Sequence, residues 1–329
     1  MKRFLALALT TALFVGATAT IAAAAEKTVT LKFANVTSQS AKDAGVRVIE
    51  QVKKDTDGTL ILNHFPDNML GDDRVAIEQA VFGDIDIASS STSPLATMFN
   101  DFYMFDAPFL FLTPDEAYAA LDGELGQQIL KDMEKKGLKG LAFWENGFRN
   151  FTNSKVAAKL PDDVKGMKIR TMENEVHLAA WKAFGANPTP MAFQEVFTAL
   201  QQGTIDGQEN PLGIIDANKF YEVQKYFSMT QHVYTPYIFA MNLDKFNSLS
   251  ERQQNALVKA FKDQTPWQRE RSRELEKEIV VRLAEKGEVI ELTPEQKKAW
   301  QDKVMEAKVY DIVKKKMSNP NYLDIALKK

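Results

Sequence analysis

Strand patterns and helix patterns take turns along this chain, and that alternation restricts the fold more than any other feature. The stretch "TVTLKFAN" (28–35) places apolar and polar side chains in turn, the period of a strand with one buried face. "AKDAGVRVIEQVKKDTDG" (41–58) then sets Ala44, Val48, Ile49 and Val52 at helical spacing and ends at Gly58. "LILNHF" (60–65) reads as a second strand, "DDRVAIEQAVFG" as a helix with an acidic start and a stop at Gly83, and "DIDIASS" as a strand running out into serines. Strands alternating with helices over short connections predict an α/β sheet. Such sheets bind ligands beyond the carboxyl ends of their strands, here Asn35 to Ser38 and Ser89 to Thr92.

The pattern returns. "QEVFTALQQGTIDGQENP" repeats the order helix, glycine, any residue, isoleucine, aspartate, and "VKGMKIRTMEN" is again a strand leaving into a polar loop before the helical "EVHLAAWKAFG". The echo reads either as two similarly wound lobes or as common helix, glycine, strand punctuation. The rest is helical and polar. Ser250 with Gln253 and Thr293 with Gln296 form capping boxes, Thr113 with Glu116 starts a helix through "AYAALDGELGQQILKDMEKKG", and Pro266 should kink or break the segment from Ser250 to Lys286. The charged "WQRERSRELEKE" reads as a solvated helix face.

The amino end sets the compartment. Lys2 and Arg3, the apolar run "FLALALTTALFV" and the small residues of "ATIAAAAE" are the parts of a cleaved secretory signal, expected over residues 1–25. The run is shorter than the roughly 20 residues that span a bilayer, so no membrane insertion is expected. Cleavage after Ala25 leaves 304 residues with 39 basic and 44 acidic side chains, mildly acidic and without a basic tract, which argues against nucleic acid. That length exceeds what one core usually fills, so two lobes are expected. With no cysteine, thiol catalysis, disulfide redox chemistry and cysteine metal sites are excluded.

No catalytic constellation stands out. His64, His177 and His232 are isolated, with no metal-ligand spacing, and neither a nucleophile elbow nor a phosphate-binding glycine loop is present. No cofactor is expected. Asp72 and Asp73 sit where a helix starts and its dipole favours negative charge, the reading preferred for Asp72. What draws notice is a set of cationic and amide groups in apolar surroundings. Arg149 lies in "GFRNFTNSK", Arg170 ends "GMKIR" at a strand edge, and Asn210 lies in "DGQENP" just before a proline. Arginine holds a planar carboxylate through two parallel hydrogen bonds and a carboxamide can complete its lone pairs, so the group reads as an anion site. The competing reading pairs each arginine with a protein carboxylate such as Glu145, Glu173 or Glu209.

At these residues the chain resembles a known family. "GFRNFTNSK", "DVKGMKIRTMEN", "GANPTPMAFQEVFTALQQGTIDGQENP", "FYEVQKYFSMTQH" and "LGDDR" are similar, in order, to the solute-binding subunit of tripartite ATP-independent periplasmic (TRAP) transporters. The resemblance implies a two-lobed, type II-like periplasmic-binding-protein fold with a hinge and long C-terminal helices. Such a receptor closes on an organic acid and delivers it to a TRAP membrane permease. It implies that Arg170 pairs with the ligand carboxylate, that Arg149 supports it from the hinge side with a counter-ion that arrives with the substrate, that Asn210 adds a hydrogen bond, and that Phe193 packs over the ligand. Asn35, Asp73 and Trp144 fall at lining positions. Ser91 stands where sialic-acid receptors carry a glutamate, which argues against that sugar and for a C4-dicarboxylate, a hydroxy or keto acid, a sugar acid or a sulfonate. Tyr234 and Tyr237 are further candidates for the cleft or for ordinary packing.

Lobe I is expected over 26–146 plus 236–275 and lobe II over 147–235 plus 276–329, with crossings near Asn146 and Pro236. The expected protein is a periplasmic monomer. The alternatives are a secreted enzyme that orients a carboxylate substrate, for which no general base presents itself beside the arginines, and a module delivering its ligand to a sensor.

Overall fold

In the computed structural model, residues 26–328 are described; the expected signal segment, 1–25, lies outside them. The first half of the chain supplies β1 (Val29–Ala34), α1 (Gln39–Asp55), β2 (Leu60–Phe65), α2 (Asp73–Phe82) and β3 (Ile87–Ser91), followed by α3 (Pro114–Asp122), α4 (Glu124–Asp132) and the long β4 (Leu138–Asn153). Next come β5 (Lys168–Thr171), α5 (Glu175–Ala183), β6 (Asn187–Pro190), α6 (Val196–Gln201), β7 (Gly207–Pro211) and α7 (Leu212–Ala217). A second long strand, β8 (Tyr226–Asn242), leads to α8 (Leu243–Asn247), α9 (Glu251–Lys286), β9 (Glu288–Ile290), α10 (Pro294–Glu306), α11 (Val309–Lys316) and α12 (Asn321–Leu327).

The strands form one mixed sheet in the order β2-β1-β3-β8-β4-β7-β5-β6, with β9 beside β8. The order is a near palindrome. β1 runs parallel to β2 and β3, β5 runs parallel to β6 and β7, and each trio joins an antiparallel long strand, β3 on β8 and β7 on β4. The sequence echo therefore marks two similarly wound halves. Local chemistry explains most of the elements: Ser250 and Thr293 close the expected capping boxes, Asp72 caps α2 by accepting the Val75 amide, and Gly83 ends that helix in the left-handed region.

Two expectations are corrected. The helix expected from 117 to 137 divides at Gly123 into α3 and α4, because glycine is a weak helix former and here takes an extended conformation. Pro266 does not break α9, which runs unbroken for 36 residues. One turn before the proline, Thr265 Oγ1 and Trp144 Nε1 both donate to the Phe261 carbonyl, side-chain donors beside the place where the ring removes a backbone one.

Where the two halves meet, β4 and β8 pair antiparallel along most of their length. Glu145 faces Pro236 and Gly147 faces Thr235, so Asn146 is the extra residue of a bulge. Gly147 has φ 114, a conformation that strains a residue with a Cβ. From α9, Gln268 accepts the Glu145 amide and donates to the Glu145 carbonyl at 2.8 Å each, bracing the bulge. Helices cover both faces of the sheet, and the C-terminal segment touches both halves, α10 packing on α5 and α12 on α4.

Candidate functional site

A cavity of about 600 Å³, counting its open mouth, lies between the two halves at the carboxyl ends of their strands. The first half contributes the start of α2 and the end of β3, the second contributes the ends of β5 and β7, and the bulge of β4 forms the floor. Six of the expected residues line it: Asp73, Ser91, Arg149, Arg170, Phe193 and Asn210.

Asn35 and Trp144 do not line it. Asn35 is buried in the turn from β1 to α1, where its amide donates to the Ala41 carbonyl and its oxygen accepts from the Val36 amide and the Ser89 hydroxyl. The next residues, Val36 and Thr37, reach the cavity instead. Trp144 sits on the face of β4 that packs against α9, beside Phe239 and Phe261, with Nε1 donating to Thr265 at 3.1 Å. Side chains alternate across a strand, and Trp144 falls on the wrong side of it. Tyr237 lines the cavity, whereas Tyr234 packs between Phe111 and Phe148.

The two arginines differ in kind. Arg149, 1 % exposed, already has a counter-ion in the protein. Its Nε donates to Glu209 Oε2 at 2.5 Å, and Nη2 donates to Glu209 Oε1 at 2.9 Å, to the Glu209 carbonyl at 2.6 Å and to Asn210 Oδ1 at 3.1 Å. The expectation that its counter-ion arrives with the substrate is overturned, since Glu209 is that counter-ion. Burial alone would raise the Glu209 carboxyl, but the Arg149 charge, the His232 hydrogen bond and His177 outweigh it and hold it far below the usual carboxylate range. Burial lowers His232, so its neutral ring donates from Nε2 to Glu209 at 3.0 Å and accepts at Nδ1 from the Thr230 hydroxyl at 2.8 Å.

Arg170 is also buried, at 3 % exposure, yet among the described residues no carboxylate lies within 4 Å of it. Nε and Nη2 donate only to the Met191 carbonyl, at 3.0 and 2.7 Å, and the guanidinium lies 6.0 Å from the Phe193 ring centre. Burial first, and then the Arg149 charge, push its pKa down to about 10. A buried cation without an anion is costly unless something charged completes it. Nη1 makes no hydrogen bond among the described residues, so the Nη1–Nη2 edge is the open one.

Around this centre the remaining groups are positioned by the protein. Asn210 is turned by Arg149 at its oxygen and by Gln208 Oε1, 2.6 Å from its amide nitrogen. Asp73 Oδ2 accepts both the amide and the hydroxyl of Ser91 at 2.8 Å, and burial raises the Asp73 carboxyl against those bonds. Asn146 Oδ1 is buried at the bulge without a hydrogen-bond partner among the described residues. At the mouth, Arg74 on α2 meets Glu173, just past β5, at 3.2 Å. Sequence reasoning placed Asn146 at a lobe crossing but gave no cavity role to it, to Arg74 or to Met191. The first two owe their place to the bulge and to pairing across the cavity, and Met191 acts through its backbone carbonyl, which no side-chain pattern reveals. Among the described residues no three of His, Asp and Glu converge to hold a metal ion.

Comparison with known proteins identifies the family and the fold. Residues 33–316 match the family model "Bacterial extracellular solute-binding protein, family 7". The chain is 38% identical to the 2,3-diketo-L-gulonate-binding periplasmic protein YiaO of Escherichia coli, over 89% of this chain and 90% of that one. Among solved structures, the sugar acid binding protein of Advenella mimigardefordensis in complex with galactonate superposes with a TM-score of 0.88 at 36% identity, covering 92% of this chain and 98% of that one. A TRAP periplasmic solute-binding protein of a Polaromonas species bound to D-erythronate gives 0.86 at 37%, covering 91% and 98%. The chain belongs to bacterial extracellular solute-binding protein family 7, the solute receptors of TRAP transporters.

Proposed function

We propose that this organic-acid receptor takes the carboxylate of its ligand on the open Nη1–Nη2 edge of Arg170, and that sugar acids are the class to test first. The observation that carries this reading is a buried guanidinium with no carboxylate of its own. Asn210, fixed by Arg149, offers a further hydrogen bond, Phe193 covers the ligand, and Asp73 and Ser91 face its far end. Arg149 acts through Asn210 and through its charge, not as a free anion site. The relatives named for galactonate, D-erythronate and 2,3-diketo-L-gulonate support the choice of class.

The receptor works in the periplasm as a monomer, after removal of residues 1–25, and hands its ligand to a TRAP permease. Among the described residues no helix is long and apolar enough to cross a membrane. Lobe I comprises 26–146 plus 236–275 and lobe II 147–235 plus 276–329. In support, the two proposed crossings, Asn146 and Pro236, fall at the same β4–β8 bulge, a natural place to bend. Closing the lobes around an acid removes water and strengthens the ion pair, while an empty closed cavity leaves the Arg170 charge desolvated, so ligand shifts the population toward the closed form.

The test is a thermal-shift screen of the purified receptor against sugar acids, hydroxy and keto acids, C4-dicarboxylates and sulfonates. A true ligand raises the melting temperature by linkage. Arg170→Ala should abolish every shift. A variant that kept full affinity would remove Arg170 from the site.

A further inference from the structure

Three cations line the cavity among the described residues, Arg74, Arg149 and Arg170, and they are not equally available. Arg149 belongs to Glu209 at the floor. Arg74 stands at the mouth, held across the gap by Glu173 at 3.2 Å and more loosely by Glu78, one turn along α2, at 4.0 Å. Both members of the cross-cavity pair are nearly half exposed, 45% and 43%, and both line the cavity. Asp72 and Asp73 line the same wall. The count is decisive. One carboxylate on the ligand balances Arg170. A second carboxylate at the far end would have to take Arg74 from Glu173, and would then face Glu173, Asp72 and Asp73 with too little positive charge to answer them. Rejection by uncompensated like charge is an effective route to specificity.

We infer that the Arg74–Glu173 pair makes this receptor selective for monoanionic ligands, with Glu173 as the residue that denies Arg74 to a second carboxylate. A neutral hydroxylated tail leaves the pair intact and finds acceptors and donors in Asp73 and Asn146. The inference rests on the assignment of the first carboxylate to Arg170, and it extends that assignment to the opposite end of the ligand.

Two probe pairs matched in chain length test it by calorimetry on the purified receptor: D-galactonate with galactarate, and D-erythronate with meso-tartrate. The wild type should bind a monoanion about tenfold or more tighter than its dianion, a gap of about 1.4 kcal/mol. Glu173→Gln should narrow that ratio by about three- to tenfold, the scale of a charge pair that is partly withdrawn from water. Adding Arg74→Gln to Glu173→Gln should cancel the narrowing, because the gain needs a freed guanidinium. The inference is overturned by a wild type that prefers a dianion or binds none of the four. It is equally overturned by an unchanged ratio in Glu173→Gln, or by a narrowing that survives the double substitution. Arg170→Ala separates the two levels: loss of all binding there sustains the carboxylate assignment whatever Glu173→Gln does, and retained binding sinks that assignment.

Discussion

In the first half of the sheet, Gly83 ends α2 in the left-handed region, Ile85 enters the core, and Asp86 Oδ2 accepts the Lys32 amide of β1 at 2.7 Å. In the second half, Gly203, Ile205 and Asp206 repeat this, with the Lys168 amide of β5 at 2.8 Å. Even the turn bonds correspond, Asp84 to the Gln79 carbonyl and Thr204 to the Ala199 carbonyl. The likeness stops a few residues later. β3 runs out into Ser89, Ser90 and Ser91, all neutral hydroxyls, whereas β7 carries Gln208, Glu209 and Asn210 against Arg149. The frame is shared because it rests on short-range rules, while the residues at the strand ends are free to differ. At the strand ends themselves, therefore, one half holds a charged anchor and the other a row of hydroxyls, its charges lying instead at the start of α2.

That contrast can be broken at several points. The largest effect is expected at the charged floor. Glu209→Ala leaves Arg149 buried without a counter-ion and should destabilise the ligand-free protein by about 3–5 kcal/mol in urea unfolding. Ser89→Ala, at the position in β3 that corresponds to Glu209 and with only neutral hydrogen-bond partners, should cost only about 1 kcal/mol. Equal losses would mean that the two strand ends do not differ electrostatically. The shared frame makes a second prediction: Asp86→Ala and Asp206→Ala each remove a charge-assisted bond to a backbone amide and should cost about 1.5–3 kcal/mol apiece. A large inequality between them would break the equivalence of the halves.

Acid should act on the halves with opposite sign. In the second half, the fold holds Glu209 below its ordinary 4.5 and His232 below its ordinary 6.5. The unfolded chain then binds the extra protons, so stability is lost as pH falls, from 6.5 downward for His232 and from 4.5 downward for Glu209. His232→Gln should remove the part of the loss that begins near 6.5, read as urea midpoints between pH 7.5 and 5. In the first half, the fold holds Asp73 above its ordinary 3.8, chiefly by burial. Its contribution is full below 3.8 and lost as pH rises through the folded value. The smallest effect expected is therefore that Asp73→Asn removes the loss of stability that sets in as pH rises above 3.8, read as urea midpoints upward from about pH 3.5. A steep acid loss introduced by Asp73→Asn would reverse the assignment.

Much of the frame was legible because its causes lie within a few residues of one another. Capping by Ser250 and Thr293, the stops at Gly83 and Gly203, and the period of β1 and β2 are all local interactions. Six of the eight residues expected in the cavity reached it, since the carboxyl ends of parallel strands are where the topology leaves an opening. Trp144 failed because the face a residue takes depends on the bulges in its own strand, here at Leu141 and Asn146, and Asn35 failed by one or two positions because its amide closes a turn.

From the sequence alone came an α/β chain with an internal echo that left a second winding open, arginines at its strand ends, and a resemblance to the TRAP receptor family across its motifs. Which arginine is free was decided by tertiary structure. Arg149 and Glu209 lie 60 residues apart and meet only because β4 and β7 pair, while Arg170, on the next strand over, meets only the Met191 carbonyl. Spacing along a chain cannot report such meetings, because the field at a buried charge is set by what the sheet brings within a few ångströms of it.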